Sequence, residues 1–278
     1  MEDSIPFVKM HGAGNDFILI DNRFGFFEGT ENAVFQDLCR RRFGIGADGL
    51  MLLNFQKSDH FSLLYFNADG KPAEMCGNGA RCAVYFMHLL NLNQRLFSFE
   101  ISGKKYSGEI TGSEKVKILW DAKPAIKKVK GLEKSLLQDF KRILFINSGV
   151  PHLVLETNMP LESVDVSKWG SCFRNHSSFA PDGANVNFIQ IEKDRVKIRT
   201  FERGVEGETM ACGTGAVAAA LAVAYWGDLE LPVEITARGG VLRVGQGSAP
   251  KSAWLEGAVQ PVYYGLVDLS QQVSASKK

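Results

Sequence analysis

The sequence predicts an α/β (α+β) fold in two similar halves, each a mainly antiparallel set of strands wrapped around one central apolar helix. Three observations carry this. Short β-rich runs recur along the whole chain. Each half holds one apolar helix candidate directly after a small cysteine turn, C-G-N-G-A at residues 76–80 and C-G-T-G-A at 212–216. And 136 positions separate Cys76 from Cys212, about half of the 278 residues, which is the spacing of a duplicated domain.

The strand-like runs of the first half are FILID (17–21), LMLLNF (50–55), FSLLYF (61–66), LFSFEI (96–101) and KVKILW (115–120). Glycine, asparagine and aspartate punctuate them, as expected of meanders. DAKPAIKKVKGLEKS (121–135), lysine-rich and carrying Pro124 and Gly131, reads as a solvated linker. The second half resumes with RILFI (142–146), HLVLE (152–156), NVNFIQI (185–191), RVKIRTF (195–201), VEITA (233–237) and VLRV (241–244). The helix candidates are GARCAVYFMHLL (79–90) and GAVAAALAVAYW (215–226). Alanine and leucine favour helix, and the second candidate has no polar face, so it must be buried all round. The resulting domains are 1–122 and 123–260.

Composition narrows the function. Hydrophobic residues make up 45% and charged residues 23%, with a net charge of +1. That balance gives no argument for a nucleic-acid or membrane partner. MEDSIPFVKM does not read as a signal peptide, and the longest nearly apolar run, Ala216 to Trp226, is too short to span a bilayer. The expected location is cytoplasmic. Five cysteines, Cys39, Cys76, Cys82, Cys172 and Cys212, include no C-x-x-C pair and no zinc spacing with the histidines. Cys39, Cys82 and Cys172 read as small buried residues. GIGADG (44–49) matches a dinucleotide fingerprint in letters, but a strand follows it where a helix is needed.

A cysteine at a helix start is chemically distinctive. The first amides of the helix have no internal partner and lie at the positive end of its dipole. They favour a thiolate, and glycines beside them let a carboxylate approach the backbone. Two such starts facing each other across a cleft would place two thiols on opposite sides of one bound anion. That arrangement suits inversion of a stereocentre next to a carboxylate, one thiol as general base and the other as general acid. A Cys76–Cys212 disulfide is the structural alternative.

KMHGAGNDF (9–17), RFGIGADGL (42–50), NADGKPAEMCGNGARC (67–82), GVPH (149–152), GANVNF (183–188) and FERGVEGETMACGTGA (201–216) closely resemble, in order, the motifs of diaminopimelate epimerase. The resemblance implies a cofactor-independent epimerase that interconverts LL- and meso-diaminopimelate in lysine and peptidoglycan biosynthesis. It implies two pseudo-symmetric domains, each a β-barrel-like sheet around a central helix, with a last strand, at 261–278, that crosses back to the first domain. It also implies roles. Cys76 and Cys212 match the catalytic thiol/thiolate pair. The amides of Gly77, Asn78, Gly213 and Thr214 match those that hold the reacting carboxylate. Asn15, Asn67, Asn185, Glu202 and Arg203 match substrate-binding residues, several at the distal end, where a guanidinium can grip a carboxylate in two places. His152 occupies the family's histidine position, as an orienting or proton-handling residue. No metal is implied, and the oligomeric state, a homodimer included, stays open.

Three positions depart from the family pattern. Val150 stands where an asparagine precedes Pro-His, Gly49 follows Asp48 where many members carry glutamine, and Glu206 lengthens the ERG…GET segment by one residue. All three lie at substrate-binding motifs. Two further readings therefore remain beside the epimerase: a related racemase of broader or different specificity, and a module that uses the paired helix starts only to capture an anion or to form a reversible disulfide.

Overall fold

The computed structural model describes residues 4–57, 60–73, 76–90, 94–120, 124–129, 131–248 and 252–268. In chain order these form β1 (Ser4–Gly12), β2 (Asn15–Asp21), α1 (Asn32–Cys39), β3 (Gly49–Lys57), β4 (His60–Asn67), α2 (Gly77–Leu90), β5 (Leu96–Ile101), β6 (Lys104–Gly112) and β7 (Lys115–Trp120). Then follow β8 (Ala125–Lys127), β9 (Phe140–Asn147), β10 (Pro151–Thr157), α3 (Val166–Arg174), β11 (Asn185–Glu192), β12 (Arg195–Glu202) and β13 (Gly207–Thr209). The last elements are α4 (Gly213–Trp226), β14 (Val233–Ala237), β15 (Gly240–Gln246), β16 (Ala253–Ala258) and β17 (Gln260–Asp268). Two compact units result, Met1–Ile118 with Ala258–Lys278, and Leu119–Gly257. No helix among the described residues is long and apolar enough to cross a membrane.

Both units use the same connectivity. In the first, β1 pairs antiparallel with β2, β2 parallel with β3, β3 antiparallel with β4, β4 parallel with β5, and β5 antiparallel with β6. In the second, β9, β10, β11, β12, β14 and β15 repeat that series of antiparallel and parallel pairings. Each parallel pair has a helix in its connection (α1, α2, α3 and α4 in turn), because a parallel crossover is too long for a hairpin. β17 adds antiparallel to β1, so the C-terminal segment completes the sheet of the first unit. Residues 269–278 of the expected last strand lie outside the described residues.

The sheets remain mainly antiparallel, with a parallel pairing at each helix crossover. The expected helices both form and both begin two residues earlier than expected, immediately after the cysteine. Glycine is a poor helix former, so propensity sets the start late; in the fold, burial outweighs it. α4 packs against β9, β10, β11, β12, β14 and β15 of its own unit. Its all-apolar surface is covered until Tyr225 reaches the exterior, and Gly227 closes it in the left-handed region at φ 80°. α2 packs on β1, β2 and β6. The expected linker contains the short exposed strand β8, paired with β9, while residues 121–123 and 130 lie outside the described residues.

Two helices were not expected. α3 buries Val166, Gly170 and Phe173 against a cluster that includes Phe140, Phe188 and Phe201. Its outer face exposes Cys172, which corrects the reading of that residue as buried; Cys39 and Cys82 are buried as expected. At Gly170 the helix lies so close to β12 that an added Cβ would collide with the Cβ and ring of Phe201. Alanine would gain about 1 kcal/mol of helix propensity over glycine. Overpacking costs about 1–3 kcal/mol and wins. Gly170→Ala should therefore lower the thermal midpoint; a raised midpoint would mean that α3 can move off β12 freely.

Candidate active site

In the first unit, Cys76 is half-buried just before α2, on a chain of hydrogen bonds that the β2 start supplies. The Cys76 thiol donates to Asn15 Oδ1 at 3.4 Å, and Asn78 Nδ2 donates to the same oxygen at 3.4 Å. Asn15 Nδ2 in turn donates to Asp48 Oδ2 at 2.7 Å, and the backbone N–H of Asp16 reaches that carboxylate at 3.2 Å. Arg41 bridges Asp48 Oδ1 at 2.9 Å and Asp16 at 2.6 Å, and Lys9 meets Asp16 at 2.8 Å. Burial alone would raise the Asp16 pKa, but hydrogen bonds from Arg41 and Lys9 outweigh it and pull it down to about 2.

Behind the helix start lies Arg81, fully buried. Its Nη1 donates to Gly77 O at 3.2 Å and its Nη2 to Asn78 Oδ1 at 2.9 Å, while Nε meets no acceptor. One helical turn separates Arg81 from Gly77, so the guanidinium folds back onto the turn that carries Cys76. Burial pushes the Arg81 pKa down, and the Cys82 and Cys76 sulfurs oppose that shift. Gly12 is needed here, since a Cβ would lie 3.0 Å from Asn78 O and 3.3 Å from the Arg81 amino group. Burial pushes the Cys39 and Cys82 thiols up to about 12, which suits packing and not chemistry.

In the second unit, Cys212 is the extended N-cap residue of α4, with its Sγ 3.4 Å from Thr214 Oγ1. Buried Ser148 donates to the Thr214 carbonyl at 2.8 Å and ties the β9–β10 turn to the helix start. A Cβ at Gly215 would lie 2.5 Å from Asn187 Oδ1 and 3.4 Å from Cys212 Sγ, so only glycine fits between them. Asn187 joins three strands: Nδ2 donates to His152 Nδ1 and to Leu153 O, both at 3.1 Å, and Oδ1 accepts from Thr200 Oγ1 at 3.0 Å. With Nδ1 accepting, the His152 proton resides on Nε2, which is buried without a partner. Burial, then the Arg203 charge, pulls the His152 pKa down to about 3. His152 is therefore a neutral imidazole, which favours an orienting role over proton handling.

Asn185 opens β11 opposite His152; its Nδ2 donates to Pro151 O at 3.2 Å and its Oδ1 accepts from the Arg203 backbone at 2.8 Å. Glu202 and Arg203 are half-buried at the end of β12. Within each unit the structure thus gathers the expected residues: Asn15, Cys76, Gly77 and Asn78 in one, and His152, Asn185, Arg203, Cys212, Gly213 and Thr214 in the other. Asn67 is exposed at the end of β4, opposite Gly49, the residue after Asp48. A side chain at Gly49 would meet Phe66 O and Tyr65 Cε2 at 2.7 Å, so Tyr65 occupies the space a longer residue would need. The extra Glu206, at φ 53°, accepts from Gly204 N at 3.1 Å and pairs with Arg174 at 3.3 Å, which anchors its turn to α3. Asp48, Arg81, Ser148 and Asn187 were not anticipated as parts of either cluster.

A cavity of about 290 Å³ in the first unit is lined by Lys9, His11, Asp16, Arg41 and Tyr263 among others. Its charges are already paired to one another, and none of the expected binding residues lines it.

The neutral state of His152 has a measurable consequence. The unfolded chain takes up a proton near pH 6.5 that the folded protein refuses until about pH 3. Stability should fall as pH drops through that window, by up to about 1.4 kcal/mol per pH unit from this residue. His152→Asn should flatten that part of the profile. An NMR titration of the folded His152 ring near pH 6.5 would contradict the assignment.

The family model described as diaminopimelate epimerase matches residues 7–122 and 144–254. A diaminopimelate epimerase of Chlorobaculum tepidum is 42% identical over 265 residues, covering 94% of this chain and 100% of that one. The Aquifex aeolicus diaminopimelate epimerase is 39% identical over 287 residues, covering 97% and 99%. Among solved structures, a phenazine biosynthesis protein of the PhzF family from Bacillus anthracis superposes with a TM-score of 0.71 at 15% identity, covering 95% of this chain and 99% of that one. A hydroxyproline epimerase from Agrobacterium vitis superposes with a TM-score of 0.68 at 13% identity, covering 95% and 91%. Those two likenesses concern the fold; the sequence matches over nearly the whole chain decide the family. The chain belongs to the diaminopimelate epimerase family.

Proposed function

We propose that this protein is a cofactor-independent epimerase that interconverts LL- and meso-diaminopimelate, with Cys76 and Cys212 as its two proton carriers. The observation that carries the reading is the pair of cysteine-led helix starts of one construction, C-G-N-G-A and C-G-T-G-A, in a chain of this family. Inverting a carbon next to a carboxylate removes a proton from one face and returns one to the other. A thiolate takes the first proton, a thiol gives the second, and the direction of reaction decides which cysteine is which. The first-turn amides of Gly77, Asn78, Gly213 and Thr214 offer donors to the carboxylate, whose negative charge grows as the proton leaves.

Asn15, Asn67, Asn185, Glu202 and Arg203 are the proposed binding residues, with Glu202 and Arg203 for the distal ammonium and carboxylate. His152, neutral and buried, serves them by holding its neighbours in place. Neither a nucleic acid nor a membrane is proposed as a partner. Chemistry that depends on two reduced thiols fits the reducing cytoplasm, where we place the protein. A racemase of different specificity is the second reading, favoured by Val150 and by the filled space at Gly49.

Cys76→Ala and Cys212→Ala should each lower epimerisation of diaminopimelate by at least about 10⁴-fold, beyond the usual contribution of one general acid or base, because neither face can be served by the other thiol. Isomer ratios read by NMR or chiral chromatography check this. Turnover of either variant within tenfold of the parent would end the two-thiol reading, and turnover of proline or glutamate in place of diaminopimelate would keep it and change the substrate.

A further inference from the structure

We propose that Asp48 is a positioning residue that fixes the Asn15 amide with Oδ1 toward Cys76 and so holds Cys76 as a thiol, the acid of the resting pair. Its catalytic consequence rests on the two-thiol reading; the hydrogen-bond logic does not.

The logic runs from the surface inward. Arg41 binds Asp48 Oδ1, which leaves Oδ2 to accept from Asn15 Nδ2 at 2.7 Å and from the Asp16 backbone at 3.2 Å. A carboxylate only accepts, so the amide cannot turn its carbonyl oxygen toward Asp48. The oxygen must face the other way, where Asn78 Nδ2 and the Cys76 thiol both donate to it at 3.4 Å. A thiolate has no proton to donate and would meet a carbonyl lone pair there. Hydrogen bonding to the neutral form disfavours the charged one.

Other groups surround this point. Lys9 and His11 lie on β1, Asp16 on β2, Asp48 and Arg41 before β3, and Arg81 and Cys82 on α2 itself. Lys9, Arg41, Asp16 and Asp48 are joined in one network, whose charges offset one another. The buried Arg81 cation and the helix amides pull toward thiolate. Asn15 Oδ1 opposes them at contact distance, and Asp48 sets its orientation. At Cys212 a neighbouring group is a hydroxyl, Thr214 Oγ1, which can donate to a thiolate as readily as accept from a thiol. The two cysteine turns are therefore unequal: one faces a fixed acceptor, the other an adaptable group. In the proposed reaction this resting form serves the direction in which Cys76 gives the proton, and the reverse direction starts from the form in which Cys76 has lost it.

The test is the pH dependence of iodoacetamide alkylation at Cys76, read by mass spectrometry of the peptide that contains it, in the folded parent protein and three variants. No substrate is present. Asn15→Ala removes the acceptor, and Asp48→Ala frees the amide to turn. Both should shift the half-maximal pH down by about one unit and speed alkylation near neutrality by about tenfold. Asp48→Asn removes the charge but keeps an oxygen for two donors, so its profile should stay close to the parent's. This variant also guards against a fold defect in Asp48→Ala. An unshifted profile in Asn15→Ala would overturn the proposal. So would an Asp48→Asn shift as large as that of Asp48→Ala, which would mean that Asp48 acts through its charge. A protein that shows these profiles yet epimerises nothing would keep this hydrogen-bond assignment and remove the two-thiol function.

Discussion

The structure depends on burying the start of a helix. The first turn of any helix carries N–H groups with no internal partner, and a buried turn must find partners or leave room for a ligand that supplies them. α2 and α4 both begin in the interior, at Gly77 and Gly213, where the chain would ordinarily face water. Everything near them accommodates that placement. Glycines at 12, 79 and 215 let strands and side chains approach. Arg81 and Ser148 occupy the carbonyls of the first turns with side-chain donors. A cysteine at each start is the one side chain small enough to fit and acidic enough to respond to the amides.

The same constraint explains the sheets. A helix apolar on every side, as α4 is, needs strands on every side, and a strand series broken by helix crossovers supplies a curved wall. The repeated series of pairings in both units shows one solution used twice. The units then differ where chemistry asks them to differ. Around Cys76 the network is ionic and reaches the surface through Arg41 and Asp48. Around Cys212 the described hydrogen bonds are made by uncharged groups, Asn187, Thr200, Ser148 and His152, with the Arg203 charge acting on His152.

Much of this was legible in the sequence. The two central helices follow from alanine-rich runs after Cys-Gly-x-Gly, and eleven strands follow from β-branched and aromatic runs between turn residues. Four of the strands that escaped share a physical cause. β1 and β17 contain Pro6 and Pro261, and β6 and β16 contain Gly108 and Gly257, residues that argue against a strand until a neighbour supplies the pairing. The resemblance alone placed a strand near β17. α1 and α3 are short, and α3 carries Gly170 in mid-helix, so only contact with β12 reveals it. The cysteines and asparagines of the site were visible because their motifs are local. Asp48 and Asn187 were not, because their hydrogen bonds join residues 33 to 35 positions apart and no spacing rule reports that; Arg81 bonds only three and four residues back, but nothing in the sequence marks it as buried.

The central claim is that two different thiols serve the two faces of one carbon. Its most direct test is the position of deuterium at low conversion in D₂O, read by proton NMR and mass spectrometry with LL- and meso-diaminopimelate as separate substrates. If one thiolate removes the substrate proton and a second, solvent-equilibrated thiol delivers the new one, the earliest product carries solvent deuterium at the inverted carbon while recovered substrate stays unlabelled. Product that keeps the original proton, or substrate and product labelled at equal rates from the start, would mean that a single group handles both faces, and the two-thiol mechanism would be wrong.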